Sequence, residues 1–178
     1  MILKRVFSLS VIAISFFLVS FTLPNKLLKK VHKEIKNVFD VTNFELSPIK
    51  IEDTINNQLP KRIGNDHLFK IESASKLIGY AYVDKAPSHT DKFDYLILLD
   101  SNLIVAKTKI LIYREDYGAE IGSNRWLKQF IGKKSSDKLK YEKDIIAISG
   151  ATISANSMTN AMNQFLQSLQ ILHLNKVL

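Results

Sequence analysis

Along the chain, apolar and polar positions follow four patterns in turn. The first is an uninterrupted apolar run: Lys4 and Arg5 are followed by Val6 to Leu23 without a charge. This is the pattern of a secretory signal or of one membrane anchor with its N-terminus inside. The run sits at the lower limit for crossing hydrocarbon and is long for a signal core, and Ser20 and Thr22 offer only a weak cleavage site at its end. Phe16, Phe17, Leu18, Val19 and Phe21 leave no polar face, which argues against a buried first helix of a cytoplasmic domain. Residues 1–24 are read as signal peptide or anchor. Both readings place the rest of the chain on the extracytoplasmic side of the inner membrane or in the periplasm.

The second pattern has the helical period. Leu27, Leu28, Val31, Ile35, Val38 and Phe39 recur three and four apart with lysines between them, predicting an amphipathic helix over 26–39. It either touches lipid headgroups or packs on its own domain, and His32 falls on its polar side. Residues 40–48 read as turn or linker, so 25–48 is helix and linker and 49–178 the main domain.

From Phe69 the period shortens to two. Phe69 and Ile71 alternate, residues 77–83 form a second apolar run, and the polar loop 84–92 follows. Phe93 to Leu99, the turn Asp100-Ser101-Asn102, and the run from Leu103 to Tyr113 describe an antiparallel hairpin. The stretch from Asn124 to Phe130 fits one or two helical turns with Trp126, Leu127, Phe130 and Ile131 inward, ended by Gly132 and Lys133. The last pattern is strand, small-residue turn, helix. Ile145 to Ile148 stop at Ser149-Gly150-Ala151-Thr152, and Met158, Ala161, Met162, Phe165, Leu169 and Leu172 then follow at helical spacing, with Ser154 or Ser157 as cap. The fold class expected is α+β, a twisted and mainly antiparallel sheet with packed helices; the helix from about 154 to 172 buries Met158, Met162, Phe165 and Leu169.

Composition narrows the chemistry. With 178 residues, 46% hydrophobic and 24% charged, the chain suits one folded domain with an appendage. It has no cysteine, which excludes disulfides, thiolate metal sites and a cysteine nucleophile. The histidines at 32, 67, 89 and 173 lack ligand spacing, and Ala147 stands where a nucleophile elbow around Ser149 needs glycine. Two basic groups and no acidic one lie in the first 23 residues, so +6 of the net +8 belongs to the remainder. An excess of that size steers anionic partners or favours an anionic membrane surface. Its densest part runs from Arg125 through Lys128, Lys133, Lys134, Lys138 and Lys140 to Lys143. No groove-reading motif accompanies it, and nucleic acid is not expected as a partner.

The turn before the last helix carries the candidate chemistry. Free N–H groups at the positive end of a helix hold phosphate without a lysine beneath it. Gly150 permits close backbone approach, Ala151 adds little bulk, and the Ser149 and Thr152 hydroxyls offer hydrogen bonds or an attachment oxygen. The same residues also suit a plain helix cap.

The stretch SGATISANSMTNAM, through Ser149, Gly150, Ala151, Thr152 and Ser154, resembles the FMN-binding domain family. That family occurs in the C subunit of the sodium-translocating NADH:quinone reductase, the G subunit of the Rnf complex and small free-standing extracytoplasmic proteins. Gly79-Tyr80 and the segment EDYGAEIGSNRWLKQFIGK are similar to it too, so the resemblance spans about 69–172. It implies FMN joined by a phosphoester to Thr152, transferred from FAD by a flavin transferase, with Ser149, Gly150, Ala151 and Ser154 around the phosphate. It directs attention to Glu120 and Tyr117, then Trp126 and Lys128, as neighbours of the flavin ring, where a cation would favour the anionic reduced form. One position departs: the family's acidic residue six before the acceptor threonine is Ile146 here. The function implied is an electron carrier between a membrane donor and an unidentified redox acceptor, in preference to a stand-alone enzyme. A flavin-dependent reductase of a small acceptor and a flavin-free anchored binding or assembly module are the alternatives.

Overall fold

The structure is a computed structural model and describes residues 23–178; residues 1–22, on which the signal-or-anchor reading falls, lie outside the described residues. Five strands form one twisted sheet: β1 (Glu45–Pro48), β2 (Leu68–Ser73), β3 (Lys76–Pro87), β4 (Lys92–Asp100) and β5 (Val105–Ile112). Spatial order equals chain order, and every neighbouring pair is antiparallel. Helix α1 spans Asn25–Phe39, the single turn α2 Asp53–Asn56, the turn α3 Asn124–Leu127, and the long helix α4 Thr152–Leu174. The class is α+β, as the periodicities predict.

Both sheet faces are buried because a helix covers each. Tyr80, Tyr82, Tyr95, Ile97 and Leu99 share one core with Met158, Met162, Phe165 and Leu169 of α4. Ala81, Val83, Leu96 and Leu98, on the alternate positions, share the other with Leu27, Val31 and Ile35 of α1. The period of two thus divides the central strands between two helices. The α4 side chains expected to be buried are all 2% exposed or less, and the Phe165 ring stacks on Tyr82 with centroids 4.1 Å apart. The amphipathic helix lies on its own sheet, ending where Phe39 meets Gly79: a Cβ there would stand 2.7 Å from the Phe39 ring and 2.2 Å from the Leu99 carbonyl oxygen.

Four local expectations differ from what is observed. Residues 45–48, read as the end of a linker, form edge strand β1, with Leu46 opposite Ile71. Strand β3 continues to Pro87 instead of stopping at Asp84, because the Asp84 carboxylate is compensated: it pairs with Lys61 and accepts the Tyr82 hydroxyl at 2.7 Å. Ile131, expected inward, is 47% exposed, since the turn ends at Phe130 and Gly132 turns away with φ +80°. Residues 145–148 form no strand. Their polar backbone groups find partners outside any sheet: the Ile145 N–H donates to the Lys140 carbonyl (3.2 Å) and its carbonyl accepts the Glu142 N–H (2.9 Å), while at Ile146 side chains serve, the Trp126 indole N–H donating to the carbonyl (2.7 Å) and the Ile146 N–H donating to Gln129 Oε1 (2.8 Å).

Candidate functional site

Helix α4 begins at Thr152, two residues before the expected start. Neither Ser154 nor Ser157 caps it; Ala151 precedes the first turn without a side-chain cap. Ser154 instead shares a hydrogen bond of 3.1 Å with the Tyr113 hydroxyl, and Ser157 donates to the Pro87 carbonyl. The first helical bond runs from the Ala155 N–H to the Ala151 carbonyl at 2.8 Å. The N–H groups of Thr152, Ile153 and Ser154 therefore have no intrahelical acceptor and lie at the positive end of a 23-residue helix. Thr152 is exposed, and its hydroxyl makes no hydrogen bond among the described residues.

Two glycines shape the turn. Gly150 has φ +78° with open space where a Cβ would be, so it supplies conformation alone. Gly118, at φ +77°, supplies conformation and room. A Cβ on it would stand 2.9 Å from Ala151 Cβ, 2.9 Å from the Gly150 carbonyl oxygen and 3.0 Å from the Tyr113 hydroxyl.

In front of this turn opens a cavity of about 290 Å³, lined by Gly150 to Ser154 on one side and by His89, Tyr113, Glu115 and Tyr117 on the other. Tyr117 is 84% exposed. Glu115 fastens the loop before β4: its carboxylate accepts the Thr90 N–H (2.7 Å), the Thr90 hydroxyl (2.8 Å) and the Asp91 N–H (3.2 Å). Its pKa is held down at about 2, first by the Ser88 hydroxyl, which faces it short of full hydrogen-bond geometry, then by the Thr90 N–H and hydroxyl. The cavity thus carries a fixed negative charge opposite the helix N-terminus.

Of the residues proposed from sequence, Thr152, Gly150, Ala151, Ser154 and Tyr117 meet at this cavity. Ser149 is exposed just before the turn. Glu120, Trp126 and Lys128 are not among the lining residues. Glu120 is exposed in the 3-10 turn Ala119–Gly122, and Lys128 is exposed where the next turn begins. Trp126 is 6% exposed and meets Phe130 edge-on at 5.3 Å, in the manner of a core aromatic. His89, Tyr113 and Glu115 were missed. Their signal lies in the hairpin register: Asp94 opposite Ile112 sets the residues before β4 beside those after β5.

Residues 89–167 match the FMN-binding domain family. The matched stretch starts at His89 and contains every residue lining the cavity. It is consistent with flavin-associated electron transfer and supports FMN as the cofactor. No curated protein matches the chain. The residues fit the phosphate end of FMN: unsatisfied N–H groups at a helix N-terminus, small side chains at 150 and 151, and a hydroxyl at the first helical position. Among the described residues no helix is long and apolar enough to cross a membrane.

Proposed function

We propose that the protein is an extracytoplasmic electron carrier whose FMN is attached through a phosphoester to Thr152. The observation that carries this reading is the position of that hydroxyl, unpaired, exposed, and at the first residue of α4 in the wall of the cavity. In the attachment step the Thr152 oxygen attacks the phosphorus on the FMN side of the FAD pyrophosphate. The P–O bond to AMP breaks, AMP departs, and the hydroxyl proton is lost to a base. A flavin transferase supplies FAD and the machinery for this exchange. Once bound, the flavin supplies reversible electron acceptance.

The chain's own residues set the surroundings. The N–H groups of the first α4 turn hold the phosphate, Gly118 keeps the turn seated, Tyr117 offers a ring face, and Glu115 holds the loop that presents His89. Glu115, a carboxylate at the cavity where a cation was expected, would oppose added negative charge on a flavin held there. The donor in the membrane and the redox acceptor are separate proteins, and residues 1–24 serve as signal or anchor. The second reading, a flavin-free anchored module, is favoured by Ile146, an apolar side chain 71% exposed at the position where the family carries an acid. Purification after co-expression with a flavin transferase separates the two: the carrier has reversible flavin absorbance bleached by dithionite and restored by air, and a colourless product contradicts it.

A further inference from the structure

Helix α1 has two opposed faces. Leu27, Val31 and Ile35 share one stripe and are buried against the sheet. At about 100° of turn per residue, Lys26, Lys29, Lys33 and Lys36 share an arc of about 80°, centred about 180° from that stripe. All four are exposed, and no ion pair among the described residues takes any of them. Glu34, the one acidic residue of α1, lies outside the arc and is half-buried. The β5 edge continues the basic face. Lys107 is opposite Leu98 and Lys109 opposite Leu96, so both stand on the side of the sheet that α1 covers. Neither has an ion-pair partner among the described residues. Lys30 donates to the Leu111 carbonyl and ties the helix to that strand.

We infer that this lysine face is the surface by which the domain lies on an anionic lipid membrane. The chain itself names the occupant. The uncharged run from Val6 ends at Leu23, and α1 begins at Asn25, so a run held in a bilayer delivers the lysine stripe to the headgroups. From Lys26 to Lys36 the stripe covers about 15 Å of helix, which sets α1 along the surface and not end-on to it. The contact is with headgroups alone. The apolar stripe of α1 is taken by the sheet, leaving none to insert among acyl chains, whereas the unpaired ammonium groups are drawn to anionic phosphates. The cofactor cavity opens at the start of α4, the helix of the opposite sheet face. A domain docked through α1 therefore keeps that cavity turned from the lipid and open to a redox partner. The placing of the run in the bilayer rests on the anchor reading; the free lysine face does not.

The chain has no cysteine, so Asn37→Cys places a single fluorophore beside the stripe. Asn37 is exposed and lies at the end of α1 away from the apolar run. The labelled full chain is reconstituted in phosphatidylcholine vesicles that carry a headgroup nitroxide quencher, with and without phosphatidylglycerol. At low ionic strength phosphatidylglycerol is expected to raise the quenching about threefold over neutral lipid, and high salt to remove the difference. Lys29→Gln, Lys33→Gln and Lys36→Gln together are expected to remove it too. A label at Gln167→Cys, exposed on α4, is expected to show no difference between the lipids. Equal quenching of the Asn37→Cys label in both lipids, or a difference that survives the three lysine substitutions, overturns the inference. A label that ignores phosphatidylglycerol and responds to polyglutamate assigns the face to an acidic protein and overturns it as well. A full chain that does not float with neutral vesicles overturns the anchor reading instead, and the lysine face is then tested by flotation of the same chain with phosphatidylglycerol vesicles. Flotation reversed by salt and lost in the triple lysine variant supports the face, and absence of flotation overturns it.

Discussion

Gly118 lies against Ala151 so closely that a single added carbon would stand 2.9 Å from the alanine Cβ. The segment after β5 and the turn before α4, 33 positions apart in sequence, are thereby locked as the two walls of one cavity. Gly118→Ala meets both a strained φ and a filled space, whereas Gly150→Ala meets only the strain. Urea denaturation should show a loss of roughly 1–2 kcal/mol for Gly150→Ala, and a further loss of about 1–3 kcal/mol for Gly118→Ala from overpacking. Gly118→Ala should also retain less FMN. Equal behaviour of the two variants would contradict the close approach.

Glu115 predicts a pH dependence. Its folded pKa of about 2 lies below the unfolded value of 4.5, so its contribution to stability is complete above pH 4.5 and is lost as pH falls towards 2. Glu115→Gln should therefore be less stable than the parent near neutral pH, with the gap closing below pH 4.5. Thermal unfolding at pH 7 and pH 3 checks this; a gap independent of pH contradicts it.

The stack of Phe165 on Tyr82 fixes α4 to the sheet. Phe165→Ala should cost about 3–5 kcal/mol through the lost contact and the void left behind, measured by denaturant titration. A cost under about 1 kcal/mol would mean that α4 is not held through this ring.

Asp84 sits beneath two tyrosine hydroxyls, with Tyr82 at 2.7 Å and Tyr95 at 3.4 Å, and against Lys61. Asp84→Ala removes the acceptor shared by both hydroxyls, leaves Lys61 with the Lys85 carbonyl alone, and should destabilise by about 3–5 kcal/mol. A neutral result in the same titration would show that the cluster is dispensable to the fold.

The parts of this fold that sequence revealed are those where one residue type repeats at one period. The apolar residues from Tyr95 to Leu99, running up to the turn Asp100-Ser101-Asn102, mark β4, and Met158, Met162, Phe165 and Leu169 at helical spacing mark the inner face of α4. Strand β1 was hidden because four residues ending in Pro48 carry no period, and its existence depends on pairing with β2. Asp84 misled because burial of a charge is decided by Lys61 and Tyr82, 23 and two positions away. Ile145 to Ile148 misled in the opposite sense: apolar composition suggested a strand, yet Trp126 and Gln129 take the Ile146 backbone groups, Lys140 and Glu142 take those of Ile145, and the Ile146 side chain is left outside. At the site, the turn through Thr152 was legible because its residues are contiguous. Glu115 and His89 were not, because only the β4–β5 register brings them opposite that turn.

The central claim, that Thr152 carries FMN, is tested most directly by the intact mass of the denatured protein after co-expression with a flavin transferase. The account predicts a mass increased by one FMN less one water, localised to the peptide containing Thr152 and abolished by Thr152→Val. An unmodified mass from a transferase that modifies another substrate in the same cells, or a modification that survives Thr152→Val, would contradict it.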